Sequence, residues 1–249
     1  MKPPVPRATG TRLYCDLPLS PGAEIALPEA AARHAVTVLR LQVGDTLSLF
    51  NGAGGEYRAS LVAVNKREVR ARLIEFHAAG RESPLQITLA LGISAGERMD
   101  YSLQKATELG VSAIQPLATE RSVVKLAGER ADKRLQHWQH VVIAACEQCG
   151  RNRVPAVAPV QKLFAYLAAV DREQRLLLLS PDAATPLKRV PPATGVVLLI
   201  GAEGGLAPAE REAAESSGFE PVSLGPRILR TETAPVAALA VLQALWGDI

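Results

Sequence analysis

The chain has 249 residues, of which 48% are hydrophobic, and it carries a net charge of +3. These values predict one large or two modest globular domains and exclude a disordered chain. The sequence has no apolar run of the roughly 18 residues that a membrane-spanning helix needs. Residues 1–10 lack the apolar core of a secretory signal, so we expect a cytoplasmic protein.

The first 80 residues are predicted to be rich in β-structure. Alternating apolar and polar residues predict strands, and a helical spacing of apolar residues predicts one helix at 28–40. Asn51-Gly52 is typical of a tight turn between strands. The pattern favours a small β-barrel, followed by a polar linker. The predicted strands are 11–17, 45–51, 57–64 and 68–76, and the linker is 78–84.

After the linker, strands and helices alternate. The runs at 176–180 and 196–200 are almost purely aliphatic, which is typical of parallel strands buried on both faces. Asp100 and Thr233 are candidate N-caps, and Gly110 is a candidate helix stop. This alternation predicts an α/β domain with a parallel sheet over residues 81–249. The other predicted strands are 85–93, 111–117 and 221–224, and the predicted helices are 100–109, 131–149, 208–217 and 233–246.

The cysteines and histidines around residue 140 do not predict a metal site. His137, His140, Cys146 and Cys149 fall within one predicted helix. At about 1.5 Å rise per residue, the first and last lie about 18 Å apart along the axis. Four side chains spaced in this way cannot all bind one zinc ion. We therefore expect no bound metal, and the odd number of cysteines favours a reducing compartment.

Two glycine-containing loops follow predicted strands and are the candidate ligand site. The first reads G-A-E-G-G at 201–205, and the second reads L-G-P-R-I-L-R at 224–230. Ligands of open α/β sheets bind outside the carboxyl ends of strands, where glycine lets them approach the backbone. The spacing matches neither the dinucleotide fingerprint nor the P-loop, which disfavours an oxidoreductase. Two tight strand–helix turns without a ligand remain the alternative interpretation.

These loops resemble those of a known family. The segment L-G-P-R-I-L-R-T-E-T-A at 224–234, together with 201–205, is similar to the C-terminal signature of the RsmE-type ribosomal RNA uridine-N3 methyltransferases of the SPOUT class. Further matches lie at 98–111, 119–122 and 147–151, and at 33–45 in the N-terminal region. Ala202 stands where the family usually has Pro, and Cys149 where it often has Ser. The resemblance covers nearly the whole chain.

The resemblance implies a fold and a cofactor. It implies a PUA-like RNA-binding β-barrel over residues 1–80 and a SPOUT methyltransferase domain over 81–249, whose C-terminus is tucked into a trefoil knot. The periodicity alone would give an unknotted sheet, since knots are almost absent from proteins. The implied cofactor is S-adenosylmethionine (SAM). Its implied contacts are Gly201, Glu203, Gly204, Gly205, Leu224, Gly225, Ile228, Leu229, Arg230, Thr233 and Ala234.

In the implied reaction, the acceptor atom N3 of uridine must be activated before it can be methylated. N3 of uridine carries a proton at neutral pH, so a base or a stabiliser of the imide anion is required. Arg230 is the candidate stabiliser, and Glu203 and Glu232 are the candidate bases. Because N3 lies on the Watson–Crick edge, the target uridine must be unpaired or flipped out.

The first two thirds of the chain are basic, which fits an RNA partner but is also typical of an ordinary solvated surface. Lys and Arg number ten against seven Asp and Glu over residues 1–80, ten against eight over 81–160, and eight against ten thereafter. The resemblance implies ribosomal RNA of the small subunit as the substrate, and an apolar C-terminal helix favours a homodimer. The alternative is a non-catalytic RNA-binding protein with a degenerate cofactor domain. The candidate phosphate contacts are Arg12, Arg33, Arg40, Arg121, Lys125, Arg151 and Arg153.

Overall fold

The computed structural model describes residues 10–65, 68–78, 80–124 and 128–249. The chain divides into two compact units. The first comprises Met1–Glu82 with Cys146–Val154, and the second comprises Ser83–Ala145 with Pro155–Ile249. Within the described ranges, no helix is long and apolar enough to cross a membrane.

The first unit contains a five-stranded sheet with strand order β1-β3-β4-β5-β2. β1 runs parallel to β3, and the other neighbouring strands are antiparallel. Alternation along the strands buries one face, where Leu49, Leu61 and Leu73 form part of the core. The elements are β1 Arg12–Tyr14, β2 Glu24–Ala26, α1 Glu29–Arg33, a π-helix His34–Val38, β3 Thr46–Phe50, β4 Glu56–Val64 and β5 Val69–His77.

The predicted helix at 28–40 was only partly correct. Regular α-helix ends at Arg33, and the chain continues as a π-helix through Val38. Val36, Thr37 and Val38 are β-branched, which weakens the preference for a regular helix there. Arg40 then takes a left-handed conformation with φ 56°, which stops the helix. The short strand β2 was missed, because three residues are too few to show a period.

Over its described residues, the second unit is an α/β domain with seven strands in one sheet. All of its strand pairs are parallel, and their order is β12-β10-β11-β6-β7-β8, with β9 also paired to β7. This confirms the predicted parallel sheet. The elements are β6 Gln86–Gly92, α2 Glu97–Glu108, β7 Ala113–Ala118, α3 Glu129–Cys149, whose last four residues belong to the first unit, β8 Ala156–Val157, β9 Gln161–Lys162, α4 Leu163–Ala169, β10 Arg175–Leu179, a 3-10 helix Leu187–Arg189, β11 Gly195–Ile200, α5 Pro208–Ser216, β12 Glu220–Val222 and α6 Thr233–Trp246.

Two predicted helix caps were wrong. The residue before α2 is Gly96, so Asp100 lies inside the first turn, where its charge still favours the helix dipole. The residue before α6 is Glu232, and Thr233 is the first helical residue. Both errors have the same cause: a residue type that often caps helices was taken to mark the start of the helix. The predicted stop at Gly110 is correct, and its φ of +79° suits glycine.

Gln243 is the buried polar anchor of α6. Its side chain is 1% exposed. Its Nε2 donates to the carbonyl of Leu109 over 2.9 Å, and its Oε1 accepts from the Ser83 hydroxyl over 2.7 Å. Because both ends of the amide are satisfied, the group is buried without the penalty of an unpaired polar atom. The final helix is thereby fixed to the end of α2 and the approach to β6.

The cysteines Cys15 and Cys146 are buried packing residues. Burial raises the pKa of Cys15 to about 11 and that of Cys146 to about 12. His137 Nε2 lies 2.7 Å from Asp100 Oδ2. In the part of the chain that the structure describes, no group of three or more His, Cys, Asp and Glu could hold a metal ion.

Candidate functional site

A cavity of about 290 Å³ opens where β10, β11 and β12 end. The two glycine loops that the sequence singled out form most of its wall. They do not follow adjacent strands, because β10 lies between β11 and β12 in the sheet. The end of β10 therefore adds a third wall that the sequence analysis missed. The lining is Leu179, Ser180, Pro181, Ile200, Gly201, Ala202, Glu203, Gly204, Gly205, Leu224, Gly225, Arg227, Ile228, Leu229, Thr231 and Ala234.

The first glycine loop folds back tightly on itself. Gly205 N–H donates to the carbonyl of Ala202 over 2.8 Å. A Cβ on Gly201 would lie 2.7 Å from the carbonyl carbon of Gly205 and 2.9 Å from the nitrogen of Leu206. Real Cβ atoms do not approach backbone that closely, so this position requires glycine.

The neighbouring strand β6 also requires glycine at its end. A Cβ on Gly92 would clash with the backbone nitrogen of Ala202. Glycine inside a strand often marks a close approach of another backbone segment, and here that segment is the first loop. Gly92 was not among the predicted site residues. Its position at the end of an apolar run was the available signal.

Glu203 connects the first loop to the start of α2. Its Oε1 accepts from the N–H of Ala95 over 2.8 Å and lies 3.6 Å from Nη1 of Arg98. Its Oε2 is buried and makes no hydrogen bond to a described residue. The hydrogen bond that Oε1 accepts from Ala95 thus holds the carboxylate in one place.

The segment 119–122 braces the first loop from outside. Nη1 of Arg121 donates to the carbonyl of Gly204 over 2.9 Å. Glu210, which is 3% exposed, accepts from the N–H groups of Glu120 and Ala207. Arg121 was predicted as a phosphate contact. Its guanidinium is exposed, but the contact that the structure shows supports the loop.

A second cavity, of about 420 Å³, adjoins the first. It is lined by Arg98, Glu203 and residues 228–232. The hydroxyls of Ser94 and Thr231 are 3.0 Å apart, which ties the second loop to the end of β6. The three residues predicted to act in catalysis, Arg230, Glu203 and Glu232, all line this second cavity.

The predicted cofactor contacts separate into two groups. Nine of the eleven line the first cavity, while Arg230 lines only the second cavity and Thr233 lines neither. Thr233 is exposed at the start of α6, and Thr231 lies in the wall instead. Thr233 is the first residue of α6 and lies beyond the second loop, and its contact with the cofactor stays a prediction.

The predicted phosphate contacts are not equally available. Arg12 and Arg151 are 7% and 6% exposed, and both belong to the first unit. Arg151 donates twice to Glu82, while Arg12 pairs with Glu56 and donates to the Arg151 carbonyl and to Asn152. Burial, followed by the charge of Arg81, lowers the pKa of Arg12. These two arginines are structural ion-pair residues, which corrects the expectation. Arg33, Arg40 and Arg153 are exposed, and Lys125 lies outside the described residues.

Family models match both parts of the chain. A model described as an RNA methyltransferase domain matches residues 81–243, and a model described as an RNA methyltransferase PUA domain matches residues 27–74. Proteins called ribosomal RNA small subunit methyltransferase E are similar along most of the chain. That of Buchnera aphidicola (Schizaphis graminum strain) is 34% identical and aligns over 96% of this chain and 97% of its own. That of Bacillus subtilis is 32% identical, over 86% and 89%.

Solved structures agree with this similarity. A putative methyltransferase of Legionella pneumophila, in complex with SAM, is 41% identical with a TM-score of 0.94, covering 97% of this chain and 100% of that one. The ribosomal RNA small subunit methyltransferase E of Neisseria gonorrhoeae, bound to SAM, is 43% identical with a TM-score of 0.90, covering 96% and 99%. On this evidence the chain belongs to the ribosomal RNA small subunit methyltransferase E family, and it is an RNA methyltransferase with a PUA domain.

Proposed function

We propose that this protein transfers a methyl group from SAM to N3 of a uridine in small-subunit ribosomal RNA. The observation that carries the proposal is the cavity at the carboxyl ends of β10–β12, formed by both glycine loops. Two similar proteins whose structures are solved hold SAM. The names of the relatives indicate small-subunit ribosomal RNA as the substrate, and the uridine-N3 position comes from the family resemblance.

The residues of the first cavity suit SAM. Beside Gly205 and Gly225, a Cβ would meet no atom within 4 Å, so a ligand can approach the bare backbone there. Leu224, Ile228 and Leu229 would hold the adenine through backbone groups. SAM supplies a methyl group on a sulfonium, and transfer requires the acceptor in line with it. Arg230 would stabilise negative charge on the uracil oxygens, and Glu203 or Glu232 would take the N3 proton.

The finer architecture is part of the proposal. Residues 1–80 would form a PUA-like RNA-binding barrel, based on the five-stranded sheet. Residues 81–249 would form a SPOUT domain with the C-terminal segment in a trefoil knot. The hydrogen bond between the hydroxyls of Ser94 and Thr231 supports the knot, because it brings the segment after β12 next to the end of β6. We place the enzyme in the cytoplasm with its ribosomal substrate.

Substitution of Arg151 should lower the stability of the protein, whereas substitution of Arg153 should weaken RNA binding. Arg151→Ala removes the guanidinium that pairs with Glu82, whose carboxylate keeps the N–H donors of Asn152 and Arg153, and the loss of this part-buried pair should cost about 1–3 kcal/mol. Arg153→Ala removes an exposed charge and should leave stability within about 0.5 kcal/mol. Urea unfolding of the full chain checks both values. Salt-dependent RNA binding should weaken for Arg153→Ala, with a slope reduced by about 0.7–0.9. Equal stability of the two variants would contradict these assignments.

We also propose a homodimer. On α6, Leu242 and Gln243 are buried, whereas Ala244 and Leu245 are exposed, and Leu245 is 44% accessible. Val236, Ala237, Ala240 and Val241 are half-buried, so they extend the exposed apolar surface of α6 that a second copy of the chain would cover. Light scattering at micromolar concentration should give about twice the chain mass of 26.4 kDa. A single species at the mass of one chain would refute the dimer.

The activity is tested with small ribosomal subunits from a strain that lacks this class of enzyme. Radiolabelled SAM should transfer its label to the ribosomal RNA, and mass spectrometry of the nucleosides should identify 3-methyluridine. Calorimetry should show SAM binding to the protein alone. If SAM binds but no uridine is methylated, or if SAM does not bind, the proposed activity is wrong. The latter result would favour the RNA-binding alternative.

A further inference from the structure

The third wall of the first cavity is the β10 turn, residues 180–183, which follows strand β10. Ser180 and Pro181 line the cavity, and the N–H of Ala183 donates to the carbonyl of Ser180 over 3.2 Å. Serine at the first position and proline at the second are residue types that such a turn favours. The N–H of Ser180 donates to the carbonyl of Val222 over 2.8 Å, which fixes the beginning of the turn to the end of β12.

Open space adjoins the rest of the β10 turn. A third cavity, of about 200 Å³, is lined by residues 180–182, by part of the first glycine loop and by Arg211 of α5. A void offers no contacting atoms to the residues that line it, so close packing does not hold the turn on this side. The position of the turn relative to the first loop therefore depends on polar contacts.

Asp182 makes those polar contacts. Nη1 of Arg211 donates to its Oδ1 over 2.9 Å and to its Oδ2 over 2.6 Å, and the hydroxyl of Ser180 donates to Oδ1 over 2.5 Å. The hydrogen bond from Ser180, followed by that from Arg211, lowers the pKa of Asp182 to about 2, so the carboxylate is charged at neutral pH. Hydrogen bonds to a charged group are about twice as strong as those between neutral groups.

Helix α5 gives Arg211 a fixed base. Arg211 follows Glu210, whose buried carboxylate accepts from the N–H groups of Glu120 and Ala207. Nε of Arg211 donates to Glu215, one turn further along the helix, over 2.8 Å. The start of α5 is thus tied to the segment that braces the first loop, and the next residue is tied to the β10 turn. One helix thereby holds two walls of the first cavity.

We infer that Asp182 and Arg211 are positioning residues for SAM, whose ion pair holds the β10 turn against α5 and slows the release of the cofactor. The inference rests on the proposed placement of SAM in the first cavity. Neither Asp182 nor Arg211 lines that cavity, so the pair acts through Ser180 and Pro181.

Asp182→Asn should raise the dissociation rate of SAM about fivefold, the upper end of what an exposed ion pair contributes. The amide has the size of the carboxylate but lacks its charge. The association rate should stay within about twofold of wild type, because the turn is displaced and no steering charge is lost. Stopped-flow measurement with the full chain gives both rates. A slower association with unchanged dissociation would mean that Asp182 only attracts the positive sulfonium, which would overturn the inference.

The two residues should act as one unit. Arg211→Gln should raise the dissociation rate as much as Asp182→Asn, and the double variant should release SAM no faster than either single variant. Exchange of the two charges, Asp182→Arg with Arg211→Asp, should restore most of the slow release. Additive effects in the double variant, without recovery in the exchanged pair, would show that the residues act separately.

A matched control lies at the other end of β10. Arg175, its first residue, pairs with Glu220 over 3.0 Å, and neither residue lines the first cavity. Glu220→Gln removes the same charge from a similar ion pair and should release SAM at the wild-type rate. The urea midpoints of Glu220→Gln and Asp182→Asn should both stay close to that of the wild type, because exposed ion pairs add little to stability.

The outcomes separate this inference from the proposed function. If Gly201→Ala and Asp182→Asn both bind and release SAM as the wild type does, the first cavity is not the SAM site, and the proposed site fails. If Gly201→Ala loses affinity but Asp182→Asn releases SAM at the wild-type rate, only the positioning role is wrong. Equally fast release from Glu220→Gln, or a much lower urea midpoint for Asp182→Asn, would also overturn that role.

Discussion

Gly201→Ala is expected to reduce SAM affinity at least about 100-fold, which corresponds to about 2.7 kcal/mol. The added Cβ would lie 2.7 Å from the carbonyl carbon of Gly205 and 2.9 Å from the nitrogen of Leu206. Both contacts are with backbone, so neither can be relieved by rotating a side chain. The loop must shift, and it forms much of the first cavity. Isothermal titration calorimetry measures the loss.

The same strand provides a matched control. Gly195 is the first residue of β11, and Gly201 comes directly after its last residue. A Cβ on Gly195 would make only an ordinary contact, 3.4 Å from the side chain of Gln174. Gly195→Ala should therefore bind SAM as the wild type does. Gly92→Ala should resemble Gly201→Ala, since its Cβ would strike the nitrogen of Ala202. Normal affinity in both Gly92→Ala and Gly201→Ala would exclude the first loop from the binding site.

Much of the second unit could be predicted because its central strands are almost purely aliphatic. The runs at 176–180 and 196–200 correspond to β10 and β11 within one residue at each end. The predicted bounds of α6 are correct at both ends. Strand order was not predictable, since consecutive parallel strands show the same pattern whichever neighbour they pair with. The third wall of the first cavity, at Ser180 and Pro181, depends on that order.

Short elements escaped the sequence analysis for a different reason. β8 and β9 have two residues each, which is too short for any periodicity. Their pairing with β7 is supplied by tertiary context. α4 has seven residues, and its mixture of Leu, Phe, Tyr and Ala does not distinguish a helix from a buried strand.

The candidate site was predictable where glycine spacing and family resemblance coincide, as in 201–205 and 224–230. It was not predictable where a residue acts through a neighbour that is distant in sequence. Gly92, Ala95 and Arg98 all belong to the end of β6 and the start of α2, and they reach the site through contacts with residues 202 and 203. Similarly, the burial of Arg151 depends on Glu82, 69 positions earlier. A local pattern cannot show such contacts.

Arg230→Ala is expected to lower kcat about 100- to 1,000-fold, the usual effect of removing one donor that stabilises charge in a transition state. Arg230 lines the second cavity and is absent from the wall of the first. The KM for SAM should therefore stay within about threefold of wild type. Methyl transfer to small subunits under saturating SAM measures kcat, and Arg172→Gln serves as the exposed-arginine control.

The pH dependence shows whether Arg230 acts on the imide. Deprotonation of N3 leaves negative charge on the uracil oxygens, and a guanidinium favours that state. Without Arg230, more of the anion must come from the solution pH, so the rate of Arg230→Ala should continue to rise at a pH where the wild-type rate has levelled off. The ratio of the wild-type rate to the Arg230→Ala rate should then fall with increasing pH. Arg230→Lys keeps the charge but loses the planar fork of donors, so its kcat should be intermediate. A deficit that is constant across pH, or confined to the KM for SAM, would instead assign Arg230 a structural or cofactor-binding role.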